Sequence, residues 1–165
     1  MNLDGIKRLL KSKALLIYNF YPPYFGAGIR MTHISGDLRT VRVQMPLTRL
    51  NKNYVGTQFG GSLYSMCDPF FMLILMHNLG RDYIVWDKAA SILFLRPGRG
   101  TVHAEFHIPE NRIDAIRREV DETGKAEPRF KAEIRDDAKQ LIARVEKTLF
   151  VKPAQARAAT PRASG

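Results

Sequence analysis

Asp68 stands two residues before the longest apolar run of the sequence, residues 70–76, in which no side chain is polar. A carboxylate beside such a run needs a partner, a helix end to cap, or chemistry to perform. Its neighbours Cys67 and Pro69 allow two placements. Asp followed by Pro is a helix-start signal, with the carboxylate taking free N–H groups and Pro occupying the first turn. Alternatively the helix opens at Gly60 or Gly61 and carries Asp68 about two turns in, bent where Pro69 lacks its N–H. Leu63, Tyr64 and Met66 are dense for a loop. Both placements remain open on sequence alone.

Other residues with chemical potential lack suitable company. His103 and His107 have the spacing of a helical metal site. Their segment has a period of two, so they share a strand's polar face with Cα atoms about 13 Å apart, too far for one ion. His33 and His77 have no acid or cysteine at ligand spacing, and no metal is expected. Gly61-Ser62 lacks the Gly-x-Ser-x-Gly elbow. The glycine-rich 56–61 segment has no following Lys, as a phosphate-binding loop would require. No basic residue adjoins Cys67 to favour a thiolate, which reads it as a small buried side chain.

The elements that must position Asp68 follow from periodicity. Leu3, Ile6, Leu9, Leu10, Leu16, Ile17 and Phe20 form one helical stripe, ended by Pro22-Pro23, with 24–28 a loop. Residues 29–35 and 40–45 pair as a hairpin about Gly36-Asp37; Val41, Val43 and Met45 alternate with polar neighbours. The apolar 70–76 run permits no amphipathic stripe and reads as a helix covered on nearly every side. Strands are expected over 83–95, 101–108, around Phe130 to Ile134, and over 141–151, with a surface helix at 110–123. Asp87 and Lys88 are charges inside an otherwise apolar strand, read as an ion pair or an edge position. This order predicts an α+β protein, an antiparallel sheet packed against one buried helix.

The chain has 165 residues, 45% hydrophobic and 25% charged, which suits a single globular domain. Its apolar run falls short of the ~18 to 20 residues that span a bilayer. One cysteine excludes an internal disulfide framework and, with no signal cleavage site, points to the cytoplasm. The net charge of +10 is dispersed, without basic runs interleaved with aromatics, so no nucleic-acid partner is expected. The expected organisation is an N-terminal helix over 1–23, a domain over 24–152 and a disordered tail over 153–165.

Asn53-x-x-Gly56-x-x-Phe59-Gly60-Gly61, followed by Asp68, resembles the active-site signature of hotdog-fold acyl-CoA thioesterases, particularly the phenylacetyl-CoA thioesterase type. Phe94-Leu95-Arg96-Pro97-Gly98 resembles that family's strand-end segment. The whole resembles most a bacterial branch of the superfamily built on a domain of unknown function. The resemblance implies a hotdog fold of five to six strands around a long central helix, paired as a dimer or dimer of dimers. It implies thioester hydrolysis with Asp68 as base or nucleophile, Asn53 positioning, and the Gly60 and Gly61 amides holding the oxyanion. Phe59, Gln58, Tyr64, Arg96 and Arg99 would line the substrate, the arginines facing CoA phosphates. No cofactor is implied; CoA enters only as part of the substrate. Phe59 stands where the signature has His, which raises a non-catalytic acyl-CoA or fatty-acyl binder as the alternative.

Overall fold

The ten-residue helix from Phe70 to Leu79 is the hub of a computed structural model that describes residues 18–154. Around it the chain runs α1 (Pro22–Ala27), β1 (Arg30–Ile34), β2 (Thr40–Met45), α2 (Gly60–Ser65), α3 (Phe70–Leu79), β3 (Tyr83–Phe94), β4 (Val102–His107), α4 (Glu110–Thr123), β5 (Arg129–Asp136) and β6 (Leu141–Pro153). The expected helical stripe before residue 18 and the expected tail after residue 154 lie outside the described residues. None of the described helices is long and apolar enough to cross a membrane.

The six strands form one sheet in the order β1-β2-β4-β5-β6-β3, every neighbouring pair antiparallel. Alternation decides which face is inward. Met31 and Ile34, Val41, Val43 and Met45, and Val102, Ala104 and Phe106 are buried, while the residues between them face out. Phe70 and Phe71 of α3 meet that inner face directly. The Phe70 and Phe106 rings lie 4.8 Å apart, Phe71 and Phe106 5.3 Å, and Phe71 and Phe130 4.9 Å. Aromatic contacts at these spacings add to the apolar burial that fixes α3 on the sheet. Helix α4 closes one end of the core with Ile113, Ile116 and Val120.

Two local expectations are corrected. Residues 24–28 are not a loop: Pro22 and Pro23 open α1, because a ring that cannot continue a preceding helix is well suited to the first turn of the next. Nor is α3 covered on nearly every side. Phe70, Phe71, Ile74, Leu75 and Leu79 are buried, but Met76 is 46% exposed and Met72 only partly covered. A second uncovered apolar surface is β3, an edge strand in which Ile84, Trp86, Leu93 and Phe94 are all exposed. A long apolar strand with unpaired backbone groups is a surface on which another chain can add.

Candidate active site

Asp68 lies in the break between α2 and α3, and it caps neither. The α3 N-terminus has no side-chain cap, and Pro69 supplies the break by withholding an N–H. The helical segment does open at Gly60, so the second of the two placements is the better description, with the bend resolved as an interruption over residues 66–69.

What Asp68 does contact is Lys147 of β6. The Lys147 ammonium donates to Asp68 Oδ1 at 2.9 Å, to the Asp68 main-chain carbonyl at 2.7 Å, and lies 2.9 Å from Asp87 Oδ2 of β3. It also stands 5.5 Å from the centre of the Tyr64 ring, a cation–π distance. The lysine side chain is fully buried, whereas 48% of the Asp68 side chain is exposed. Burial opposes the ammonium's charge, but hydrogen bonds and attraction to Asp68 and Asp87 outweigh it and hold the Lys147 pKa above its usual value. Lys147 is therefore a cation at neutral pH and not a nucleophilic amine. Burial pushes the Asp87 carboxyl up despite its bonded lysine, and its Oδ1 is buried without a partner. Burial pushes the Tyr64 phenol up.

Lys147 and its pairing with Asp87 escaped the sequence reading, although a signal was present. Val145, Lys147, Leu149 and Val151 share one parity and all are buried. A charge in phase with the inward face of a strand must find a partner. Asp87 is an ion-paired residue on an edge strand, as expected, while its neighbour Lys88 turns outward to Glu127.

The other end of α2 forms a separate group. Gly60 and Gly61 begin the helix, where main-chain N–H groups have no carbonyl four residues back to bond. A Cβ at Gly60 would meet the Phe94 ring tip at 3.0 Å, and one at Gly61 would meet the Phe59 ring at 2.5 Å. Both positions thus hold the backbone against aromatic rings. Asn53, Gln58, Gly60, Phe94 and Arg96 line a cavity of about 360 Å³. Arg96 donates to the Leu141 carbonyl and Arg99 is exposed. Phe59 is 55% exposed over the helix start.

Asn53 does not reach Asp68 within the chain. Its amide donates to Thr57 Oγ1 at 2.9 Å and to the Gln58 carbonyl at 3.3 Å, and its Oδ1 accepts the Thr57 N–H at 2.9 Å. These local bonds hold the 53–58 loop that leads into α2. Gln58 is buried and braces the same loop, donating to the Met45 and Gly100 carbonyls, with Oε1 unpartnered. It therefore braces the loop that leads into α2 and also borders the cavity.

Cys67 is buried, and burial pushes its thiol from 9.0 up to about 12. A thiol reagent at pH 8 is expected to leave it untouched in the folded protein and to label it fully in denaturant. Labelling of the native protein at the denatured rate would contradict this placement. Because the folded value is raised, the stabilising contribution of the neutral thiol is complete below pH 9 and lost as pH climbs toward 12. The two histidines sit on the outer face of β4 as expected, His103 bonded to Asp137 and His107 to Thr40. No cluster among the described residues has the makings of a metal site.

This architecture is the hotdog fold, as comparison with solved structures shows. A Pseudomonas aeruginosa protein described as a probable thioesterase superposes with a TM-score of 0.76 at 20% identity, covering 87% of this chain and 95% of that one. A Chlorobaculum tepidum protein of unknown function superposes with a TM-score of 0.69 at 19% identity, covering 92% and 96%. The PaaI protein of the E. coli phenylacetic acid degradation operon does so with a TM-score of 0.60 at 19% identity, covering 90% and 94%. Among curated proteins none matches the sequence. The chain belongs to the family described as Domain of unknown function (DUF4442), whose sequence model matches residues 11–151.

Proposed function

We propose that this protein hydrolyses acyl-CoA-like thioesters in the cytoplasm, in sites assembled between two copies of the chain. The observation that carries the reading is the pairing of an ion-fixed, half-exposed Asp68 with an unbonded amide end on the same helical segment. Thioester cleavage needs both. Amides at a helix start stabilise negative charge on the carbonyl oxygen, and a carboxylate attacks the carbon directly or deprotonates the water that does.

Geometry then calls for a second chain. Eight residues separate Gly60 from Asp68, about 12 Å along a helix axis at 1.5 Å per residue. One carbonyl group cannot touch both ends. Two antiparallel copies of the α2–α3 segment would bring the amides of each opposite the carboxylate of the other. The exposed edge of β3 and the uncovered side of α3 support such a pairing, since each is apolar surface that a partner would bury. Phe94 links these features, lying on the β3 edge and against Gly60. In this reading Asn53 is a positioning residue that acts through its loop, and the cavity beside Gly60 receives part of the substrate. Arg96 and Arg99 attract the CoA phosphates.

The reading that competes is a binder of acyl-CoA or fatty acyl groups without turnover, favoured by Phe59 at the position of the thioesterase histidine. Thiol release from short, aromatic and long acyl-CoAs separates the two. Hydrolysis of at least one class is expected; tight binding with no thiol release from any would overturn the enzymatic reading.

A further inference from the structure

We propose that Lys147 is a positioning residue for Asp68, presenting one carboxylate oxygen to the substrate, with Asp87 holding the ammonium in place. The inference rests on the hydrolytic reading above and adds to it a residue from a different strand. Lys147 makes two contacts to Asp68, at Oδ1 and at the main-chain carbonyl. Together they fix the side chain and the backbone from which it hangs. The carbonyl is free to accept because the helix is interrupted over residues 66–69. Oδ1 is bonded inward, which leaves Oδ2 as the oxygen for attack or proton transfer.

A lysine does not bury its side chain completely without compensation, since desolvating an ammonium is costly. Here two carboxylates and an aromatic face provide it: Asp68 between α2 and α3, Asp87 from β3, and Tyr64 from α2. Cys67 within the break and Tyr24 from α1 are the other titratable groups near the cluster among the described residues; burial keeps both neutral at ordinary pH. A structural ion pair alone would not need its acid half exposed. In this cluster the cation is enclosed and the Asp68 carboxylate opens outward, the arrangement of a group held for use.

The test uses full-length protein carrying Lys147→Met or Asp87→Asn, each first checked for folding. Removing the ammonium takes away the restraint on the Asp68 side chain and on its main-chain carbonyl. In Lys147→Met, kcat for the best acyl-CoA is expected to fall about a hundredfold, with KM little changed. Asp87→Asn keeps the ammonium on Asp68 but loosens its anchor, so kcat is expected to fall about tenfold, again with KM little changed. A purely structural cluster would lower the amount of folded protein without separating kcat from KM in the folded fraction.

A folded Lys147→Met with kcat within twofold of wild type would overturn the proposal. So would an unchanged kcat in folded Asp87→Asn, which also decides the matter if Lys147→Met does not fold. If wild-type protein releases no thiol from any acyl-CoA, the hydrolytic reading fails by itself. NMR order parameters of the Asp68 side chain in the same proteins then read the restraint directly. A more mobile side chain in Lys147→Met supports it, and unchanged mobility refutes it.

Discussion

Asp68→Asn is expected to lower kcat for thioester hydrolysis by about 10²- to 10⁴-fold, the range that a positioned acid or base contributes. Folding should be little affected. About half of the side chain is exposed, an amide oxygen can still accept from Lys147, and Asp87 remains as the ammonium's counter-charge. KM should change little, because the lost interaction belongs to the reacting step and not to substrate binding. The check is a steady-state thiol-release assay alongside thermal melts of both proteins. Unchanged turnover in a folded variant would remove Asp68 from the chemistry while leaving the fold description intact.

Gly60→Pro is expected to cost about 10²- to 10³-fold in kcat, the loss associated with one oxyanion donor. The substitution is chosen because it deletes an N–H where helices tolerate proline best, at the first helical position. Phe59 before it has φ −71° and ψ 130°, an extended conformation compatible with a following proline. The new ring would meet the tip of Phe94, which is 53% exposed and can swing aside. A parallel Gly60→Ala variant adds carbon at the same place but keeps the amide. It should therefore retain most of the turnover that Gly60→Pro loses. Equal losses in the two would assign the effect to crowding against Phe94.

The fold was largely legible because its determinants are local periods. Val41, Val43 and Met45 name the inward face of β2 without reference to any other residue, and helix α4 emerged over its full length from Ile113, Ile116 and Val120. Where two local rules conflict, the sequence was ambiguous. Pro22-Pro23 both ends one helix and opens another, and only the second role was missed. Asp68-Pro69 carries a cap signal, but tertiary attraction to Lys147 prevailed over the local cap. The candidate site was legible only in its sequence-adjacent parts. Gly60, Gly61 and Asp68 lie within one short stretch, whereas Lys147 is 79 residues from Asp68. The fully engaged amide of Asn53 was equally hidden, since it depends on how the 53–58 loop folds back on itself.

Complementation between chains tests the central claim most directly. Asp68→Asn protein and Gly60→Pro protein are mixed in equal amounts, denatured and refolded together, and assayed against the same amount of each refolded alone. With sites shared across a two-fold axis, a mixed dimer contains one site carrying both substitutions and one carrying neither. Random pairing then restores about a quarter of wild-type activity. A mixture no more active than its two components, under conditions where subunit exchange is demonstrated, would contradict the shared site.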